Sequence, residues 1–242
     1  MSNIIDLPIN NKLWDDSTFY AEEMLCGLPV TFTVTKAHNI IESGNEQIQH
    51  CFQDLKSLPL YSHLKETTLS AILVPPPGIG QKFLKTLVKN GAMGSERLQL
   101  HNGSVRIVLT DLWELSGVSL RDFKFRDRRV YLESLTSTLI EQRLTDRIII
   151  SDIIKRDKLS FFQFIKAKGA RGVILKNSNG VCGEDSFKIT ANTGGVGNIT
   201  IQKNWQMGER IQESLDEFDY DTMMAMVCLN DPKNEAILLA IK

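Results

Sequence analysis

The sequence predicts an α+β fold in which mixed, mostly antiparallel sheets are flanked by helices. Short runs rich in β-branched residues alternate with segments whose apolar residues recur at helical spacing, and turns with glycine, asparagine or proline separate them. The chain has 242 residues, 42% of them hydrophobic and 24% charged, which suffices for one large or two small cores. The sequence contains no internal repeat and no low-complexity linker.

The first predicted elements are a strand, a helix and a second strand. Residues 30–34 (VTFTV) are dense in β-branched side chains and predict a strand. In residues 48–60 the apolar side chains recur at helical spacing, which predicts a helix that Pro59 limits. Residues 70–74 predict a short buried strand, because they are apolar and are followed by three prolines.

A second helix and a hairpin are predicted next. Residues 81–89 carry apolar side chains on one side, and Asn90-Gly91 is typical of a helix end. Residues 98–115 alternate around His101-Asn102-Gly103, a turn sequence that favours a β-hairpin.

The second half begins with a loop that runs into a helix within residues 119–142. Strands are predicted at residues 147–151 and 172–175, and a helix over residues 161–168 ends at Gly169. The predicted buried positions of the first of these helices are Val130, Leu132, Leu135 and Leu139.

Composition excludes several function classes. The 28 basic and 29 acidic residues give a net charge of -1, so the chain as a whole is not driven toward phosphate backbones. The four cysteines lack paired spacing, which argues against a zinc site and a disulfide framework. The sequence has neither a leader pattern nor an apolar run of about 18 residues. We therefore expect a soluble protein of the cytoplasm or nucleus that does not associate with membranes.

Four segments, taken in chain order, resemble the nucleotidyltransferase domain of ATP-dependent DNA ligases. They are AEEMLCGLP at 21–29, DLWELSGVSLRDFKFRDRRVYLESL at 111–135, KAKGARGVILK at 166–176 and SFKITAN at 186–192. The first resembles the family signature Glu-x-Lys-x-Asp-Gly-x-Arg, and the third resembles the strand Gly-x-Glu-Gly-Val-Val-x-Lys. The residues of the second segment that fit the family's order are Asp111, Gly117, Leu120, Arg121, Asp122, Arg128 and Arg129.

The resemblance implies two parts of the chain. Residues 1–192 would form a ligase-like nucleotidyltransferase domain, with the matching segments spread over residues 13–192. Residues 193–242 would form a short β-rich extension, with two β-like stretches around Asn230-Asp231-Pro232. This extension is too short for the full oligonucleotide-binding barrel that follows in the family, so it would be a truncated or replaced version.

The resemblance also implies that the catalytic machinery is missing. In the family a lysine attacks the α-phosphate of ATP, and Met24 stands at its position. Cys26 replaces the aspartate of the same signature and Pro29 its arginine. Ile72 and Arg171 stand where carboxylates hold divalent metals. We therefore expect no self-adenylation, no metal site and no cofactor.

Two further positions of the implied nucleotide pocket are changed, and three are kept. Thr110 replaces an aromatic residue that stacks on adenine, and Thr190 replaces the second lysine of the last strand. Glu22, Lys176 and Lys188 remain, and they would contact a ligand only if the pocket is open. We expect the pocket to be apolar and collapsed around Met24 and Ile72. The rival is an open cleft lined by the three remaining residues.

Three functions are compatible with these features. The first is a catalytically inactive ligase homologue that acts by binding, as a structural or regulatory subunit with a protein partner. The second is a module that binds duplex nucleic acid or broken ends without ligation. The third is a diverged nucleotide-binding enzyme with a relocated nucleophile, for which Lys36 is the candidate.

Local charge bears on the choice of partner. Arg121 to Arg129 (RDFKFRDRR) is a basic cluster with interleaved phenylalanines, and we interpret it as mainly structural. Residues 153–158 (IIKRDK), with Lys166 and Lys168, form another possible basic face. The acidic residues of 213–221 would repel DNA, or mimic it toward a basic partner.

Overall fold

Two sheets and four α-helices build the part of the chain that the structure, a computed structural model, describes. This part comprises residues 4–6, 12–61, 64–141, 143–183, 186–190 and 198–202. The strands are β1 Ile4–Asp6, β2 Phe19–Glu23, β3 Leu28–Val34, β4 Asn39–Ser43, β5 Glu46–Gln47, β6 Thr67–Val74, β7 Arg106–Leu115, β8 Val118–Ser119, β9 Ile148–Ile150, β10 Ile153–Ile154, β11 Gly172–Asn177, β12 Ser186–Thr190 and β13 Asn198–Gln202. The helices are α1 Gln53–Lys56, α2 Lys82–Asn102, α3 Phe125–Glu141 and α4 Lys158–Ala167.

Both sheets are antiparallel except for one strand pair. The first sheet has the order β1-β13-β12-β11-β2-β10, and the second has the order β5-β4-β3-β6-β7-β8. In the second sheet β9 pairs with β7 in parallel. The predicted α+β fold with mixed, mostly antiparallel sheets is confirmed. β13 extends the first sheet beyond β12, while residues 203–242, with their predicted β-like stretches and acidic run, lie outside the described residues.

Each sheet has its own hydrophobic core. In β6, Leu69, Ala71 and Leu73 are buried at alternate positions, as a strand with one face on the core requires. These residues belong to the larger core, which the second sheet shares with α2 and α3. The smaller core lies under the first sheet, where Trp14 stacks on Phe162 of α4 with ring centroids 5.2 Å apart. Each sheet is therefore stabilised by the burial of its own set of apolar side chains.

The predicted hairpin over residues 98–115 is wrong, because α2 continues to Asn102. Gly91, at φ 64° and ψ -169°, is not helical and divides α2 into two helical segments, so the predicted helix end at Asn90-Gly91 is confirmed, and the second segment runs on to Asn102. In this second segment Gln99 is buried, and its side-chain amide donates to the Cys51 carbonyl at 3.1 Å. Gly103, at φ 98°, follows the last helical residue. The Asn102-Gly103 pair thus ends a helix, and a single strand, β7, begins at Arg106.

Two further predictions about helices need correction. The helix predicted over residues 48–60 is only a 3-10 turn at Gln49–Cys51 followed by α1. The break lies at Phe52, whose φ of -133° and ψ of 61° are not helical. At the other end of α1, the buried Asn39 amide donates to the carbonyls of Leu55 and Leu58 at 2.8 and 3.0 Å. In α3, Leu132, Leu135 and Leu139 are buried as predicted. Val130 is 64% exposed, since it lies on the opposite side of the helix.

The other elements that the sequence pattern predicts are confirmed. The strands at residues 30–34, 70–74, 147–151 and 172–175 correspond to β3, β6, β9 and β11. The helix before Gly169 is α4. Among the described residues, no helix is both long and apolar enough to cross a bilayer.

Candidate binding cleft between the sheets

A cleft of about 110 Å³ opens where the two sheets meet. The first sheet contributes residues from β2 and β11, and the second contributes residues from β6 and β7. The start of α3 and the loop at residues 180–183 complete the walls. The side chains that line it include Glu22, Ser70, Ile72, Thr110, Asp111, Trp113, Phe125, Arg128, Ile174, Lys176, Val181 and Cys182.

An ion pair between Glu22 and Lys176 lies at the centre of the cleft wall. β2 and β11 are antiparallel with Glu22 opposite Ile174, so Lys176, two residues further, lies on the same face. Its Nζ is 2.5 Å from Glu22 Oε2 and donates to the Thr110 carbonyl at 3.2 Å. The same ammonium is 5.0 Å from the centre of the Phe125 ring. The cation is therefore held by a carboxylate, a carbonyl and an aromatic face.

The second carboxylate oxygen of Glu22 continues this network. It accepts a hydrogen bond from the Ser151 hydroxyl, which is itself 3.1 Å from Arg129 Nη1. Arg129 also donates to the Ser151 carbonyl and, at 2.8 Å, to Glu133 Oε1 one helical turn along α3. Glu22 and Arg129 are both almost fully buried. The network thus fastens the first sheet to the segment after β9 and to α3.

A second ion pair lies beside the first. Arg128 donates from Nε and Nη2 to the two carboxylate oxygens of Asp111, at 2.9 and 2.8 Å, which is a bidentate pair. Its Nη1 donates to the Phe123 carbonyl. The arginine side chain is 3% exposed and the aspartate side chain 13%. Two donors of Arg128 therefore join α3 to β7, and the third holds the loop that precedes α3.

The basic cluster at residues 121–129 divides into a buried and an exposed part. Arg128 and Arg129 hold the structure together, which agrees with its interpretation as mainly structural. Arg121, Lys124 and Arg126 are exposed. The other predicted basic face is partly wrong. Lys158 is buried, and its Nζ donates to the Asp16 carbonyl at 3.1 Å.

The altered positions of the first ligase-like segment lie next to the cleft but do not line it. Met24, at the position of the family's lysine, is 5% exposed, and its N–H donates to the Gly172 carbonyl at 2.9 Å. Cys26 and Ile72 contact a small apolar cluster around Val74 and Val108. Pro29 lies opposite Ile72 in the β3–β6 register and is exposed. Of these four positions, only Ile72 lines the cleft.

The other predicted site residues are dispersed. Thr110 lines the cleft, and its hydroxyl lies within 3.2 and 3.1 Å of the carbonyl and hydroxyl oxygens of Ser70. Arg171 is half-buried just before β11. Thr190 lies in β12 opposite Gly172, and its side chain is outside the described residues. Lys188 is buried in the same strand, and it does not line the cleft.

The prediction of a collapsed pocket is wrong. A cleft of about 110 Å³ remains between the sheets, and Ile72 lines it whereas Met24 does not. Of the three residues of the rival prediction, Glu22 and Lys176 line the cleft and Lys188 does not. Lys36, the candidate relocated nucleophile, is exposed in the turn after β3 and is also absent from the lining.

The sequence does not mark Glu23 or Cys182 as a functional candidate, although the folded structure raises the pKa of both side chains. Burial, together with the nearby charge of Asp152, raises the pKa of Glu23 to about 7. One carboxylate oxygen of Glu23 is buried without a hydrogen-bond partner among the described residues. Burial likewise raises the pKa of the Cys182 thiol, and the Asp111 carboxylate adds to this effect. Cys182 is therefore not an activated thiol.

The described residues contain no group of three or more histidine, cysteine, aspartate or glutamate side chains that could hold a metal ion. The carboxylates that line the cleft, Glu22 and Asp111, each face a cation instead. In chemical terms, the cleft can accept hydrogen bonds and pack against a ring, but its charged groups are already paired.

Comparison with known proteins identifies the fold. No protein-family model and no curated protein sequence matches the chain. Among solved structures, a mycobacterial DNA ligase D complexed with ATP and MES is 19% identical, with a TM-score of 0.51, over 68% of this chain and 50% of that one. The ATP-dependent DNA ligase from bacteriophage T7, in complex with ATP, is 13% identical, with a TM-score of 0.52, over 83% of this chain and 63% of that one.

These similarities extend over only part of the known structures. The chain spans half of the mycobacterial ligase chain and less than two thirds of the bacteriophage ligase chain. The match supports the fold and leaves activity open, because sites and not folds carry chemistry. The described chain has the fold of the nucleotidyltransferase domain of ATP-dependent DNA ligases.

Proposed function

We infer that this protein is a catalytically inactive relative of ATP-dependent DNA ligases that acts by binding, as a structural or regulatory subunit of a protein complex. The observation that carries the proposal is the state of the amine in the cleft. Lys176 is the lysine that lines it, and its Nζ forms an ion pair with Glu22 at 2.5 Å. An ammonium held in this way has no lone pair with which to attack a phosphorus atom.

Two other features support the loss of adenylation. Met24, at the position of the family's nucleophile, is buried and has no basic group. Ile72 and Arg171, at the positions of the metal-binding carboxylates, offer no oxygen ligand for a divalent cation. The near-neutral net charge favours a protein partner over a phosphate backbone.

The test is intact-mass measurement after incubation with ATP and Mg²⁺ or Mn²⁺. We expect no added adenylate on the wild-type chain. The Met24→Lys variant restores only the nucleophile, so we expect no adduct on it either, because the metal side still lacks carboxylates. A covalent adduct on the wild type would overturn the proposal, and the modified residue would then be sought first at Lys176 and Lys36.

The second candidate function is binding of nucleic acid without ligation. The exposed Arg121, Lys124 and Arg126 favour it, because cations along one segment can contact successive phosphates. Binding of nicked duplex DNA that weakens steeply with salt, and that weakens further when these three residues are changed to glutamine, would support this function. Weak binding without salt dependence would exclude it.

A further inference from the structure

The charged groups of the cleft are compensated before any ligand enters. Glu22 pairs with Lys176, and Asp111 pairs with Arg128, so the four formal charges sum to zero. Both pairs are largely withdrawn from solvent, with exposed side-chain fractions between 3% and 19%. A phosphate group would meet a Lys176 ammonium already bonded to Glu22 and the Thr110 carbonyl, and an Arg128 guanidinium already bonded to Asp111. It could take either cation fully only by weakening a buried pair, which costs free energy. The cleft therefore disfavours an anionic ligand.

The remaining walls suit an aromatic ring. Trp113 and Phe125 line the cleft together with the aliphatic side chains of Ile72, Ile174 and Val181. Aromatic rings stack or meet edge to face with other rings, which stabilises such contacts beyond the burial of area. The volume of about 110 Å³ is smaller than the enclosed cavity of about 150 Å³ that holds benzene, but this cleft opens between the sheets and need not enclose a ring completely. There is room for one ring.

Two hydroxyl groups supply a polar edge to the same space. Ser70 and Thr110 are neighbours on β6 and β7, and both line the cleft. Their hydroxyl oxygens are 3.1 Å apart. Each hydroxyl has two acceptor lone pairs, so the pair retains hydrogen-bonding capacity after bonding to each other. A ring with one hydroxyl or amide substituent could bond to this edge while the ring contacts the apolar walls.

We propose that the cleft binds a small uncharged molecule built on a single aromatic ring with one hydrogen-bonding substituent, and that it rejects the phosphorylated form of the same ring. This ligand class rests on the proposed non-catalytic function, because it requires Lys176 to stay paired with Glu22. The ligand would occupy the space that the resemblance assigns to a nucleotide, with the selectivity for charge reversed.

The test uses 4-fluorophenol and 4-fluorophenyl phosphate, which share the ring and differ by the phosphate. Fluorine NMR line broadening, recorded while the purified full chain is titrated, measures both affinities. We expect 4-fluorophenol to bind at least tenfold more tightly than 4-fluorophenyl phosphate. Equal or tighter binding of the phosphate, or no broadening of either probe, would overturn the proposal.

Variants place the binding in the cleft. Ile72→Trp fills the space, and Thr110→Val removes a hydroxyl at nearly constant volume; both should weaken 4-fluorophenol binding at least threefold. Met93→Ala, at a 75% exposed position on α2, is the control and should change nothing. Circular dichroism melting shows which variants are folded. Unchanged affinity in a folded Ile72→Trp, or in Thr110→Val if the former does not fold, would refute the site.

The two proposals fail in different ways. An adenylate adduct would refute the inactive-ligase function whatever the fluorophenol result. Failure of fluorophenol binding without an adduct would refute only the ligand class.

Discussion

Removing Lys176 tests whether the cleft amine is held as firmly as the proposed function requires. The Lys176→Met substitution keeps most of the side-chain length and removes the charge. It leaves the Glu22 carboxylate, whose side chain is 3% exposed, without its cation. If the ion pair is strong, the variant is destabilised by an unpaired buried charge rather than by lost packing.

The magnitude follows from the surroundings of the pair. Breaking a buried ion pair by removing one partner costs about 3–5 kcal/mol. Two features reduce this cost here. Lys176 is 19% exposed, so water can approach the vacated position, and the Ser151 hydroxyl still donates to Glu22. We therefore expect Lys176→Met to lower the free energy of unfolding by about 2–3 kcal/mol.

A double-mutant cycle separates charge from packing. Glu22→Gln combined with Lys176→Met removes both charges, and we expect this variant to lose only about 1 kcal/mol. Lys155→Met is the matched control. Its ammonium also lies over an aromatic ring, 5.4 Å from the centre of Tyr20, but on an exposed lysine, and its loss should cost less than about 1 kcal/mol.

Urea unfolding at pH 7, followed by circular dichroism, gives the four stabilities of the cycle and that of the control. A coupling energy below about 0.5 kcal/mol would show that the pair is weak. The same conclusion would follow if Lys176→Met cost no more than Lys155→Met. Either result would refute the reasoning, because a loosely held Lys176 could serve as a nucleophile.

Two further predictions concern Gly27 and Glu23, which lie within the first ligase-like segment. Gly27→Ala should lower the free energy of unfolding by about 1–3 kcal/mol, because its Cβ would lie 2.3 Å from the Leu73 carbonyl oxygen. Gly80→Ala is the control in the same urea-unfolding measurement. A Cβ at position 80 would meet no atom within 4 Å, so the free energy of unfolding should hardly change. Glu23 has a folded-state pKa of about 7 against an ordinary 4.5, so wild-type stability should fall by at most about 3 kcal/mol as pH rises between these values. Glu23→Gln should flatten that slope in unfolding midpoints at pH 5 and pH 8, and an unchanged slope would contradict the assignment.

Four of the thirteen described strands, β3, β6, β9 and β11, could be predicted from the sequence because they have a local signature. β3 is dense in β-branched side chains, and β6 is a short apolar run in which burial alternates. Neighbouring residues alone are enough to reveal both signatures. The hairpin at residues 98–115 was wrong because Asn-Gly is compatible with two structures. It fits both a tight turn and the end of a helix, and the buried contact between Gln99 and the Cys51 carbonyl decides between them. That contact joins residues far apart in the chain.

The candidate site was predictable only where the resemblance supplied the positions. Glu22 and Lys176 were identified in this way, and they do meet in the cleft. Ser151 was missed because nothing near it in the sequence marks a role. Its hydrogen bond to Glu22 spans 129 positions, so only the folded chain reveals it. The open cleft was only the rival prediction, because the pairing of its charges depends on strand register, which the sequence does not reveal.

The charged residues that remain in the cleft share one property, which the Met24 and Pro29 positions lack. Glu22 links β2 to β11 and to Ser151, and Arg128 links α3 to β7 through Asp111. These residues join different elements of the fold, and their loss would leave buried charges unpaired. Met24 and Pro29 stand at positions that pack or face solvent without any such bridge. The presence of Glu22, Lys176 and Arg128 is therefore explained by folding, and it does not by itself argue for retained catalysis.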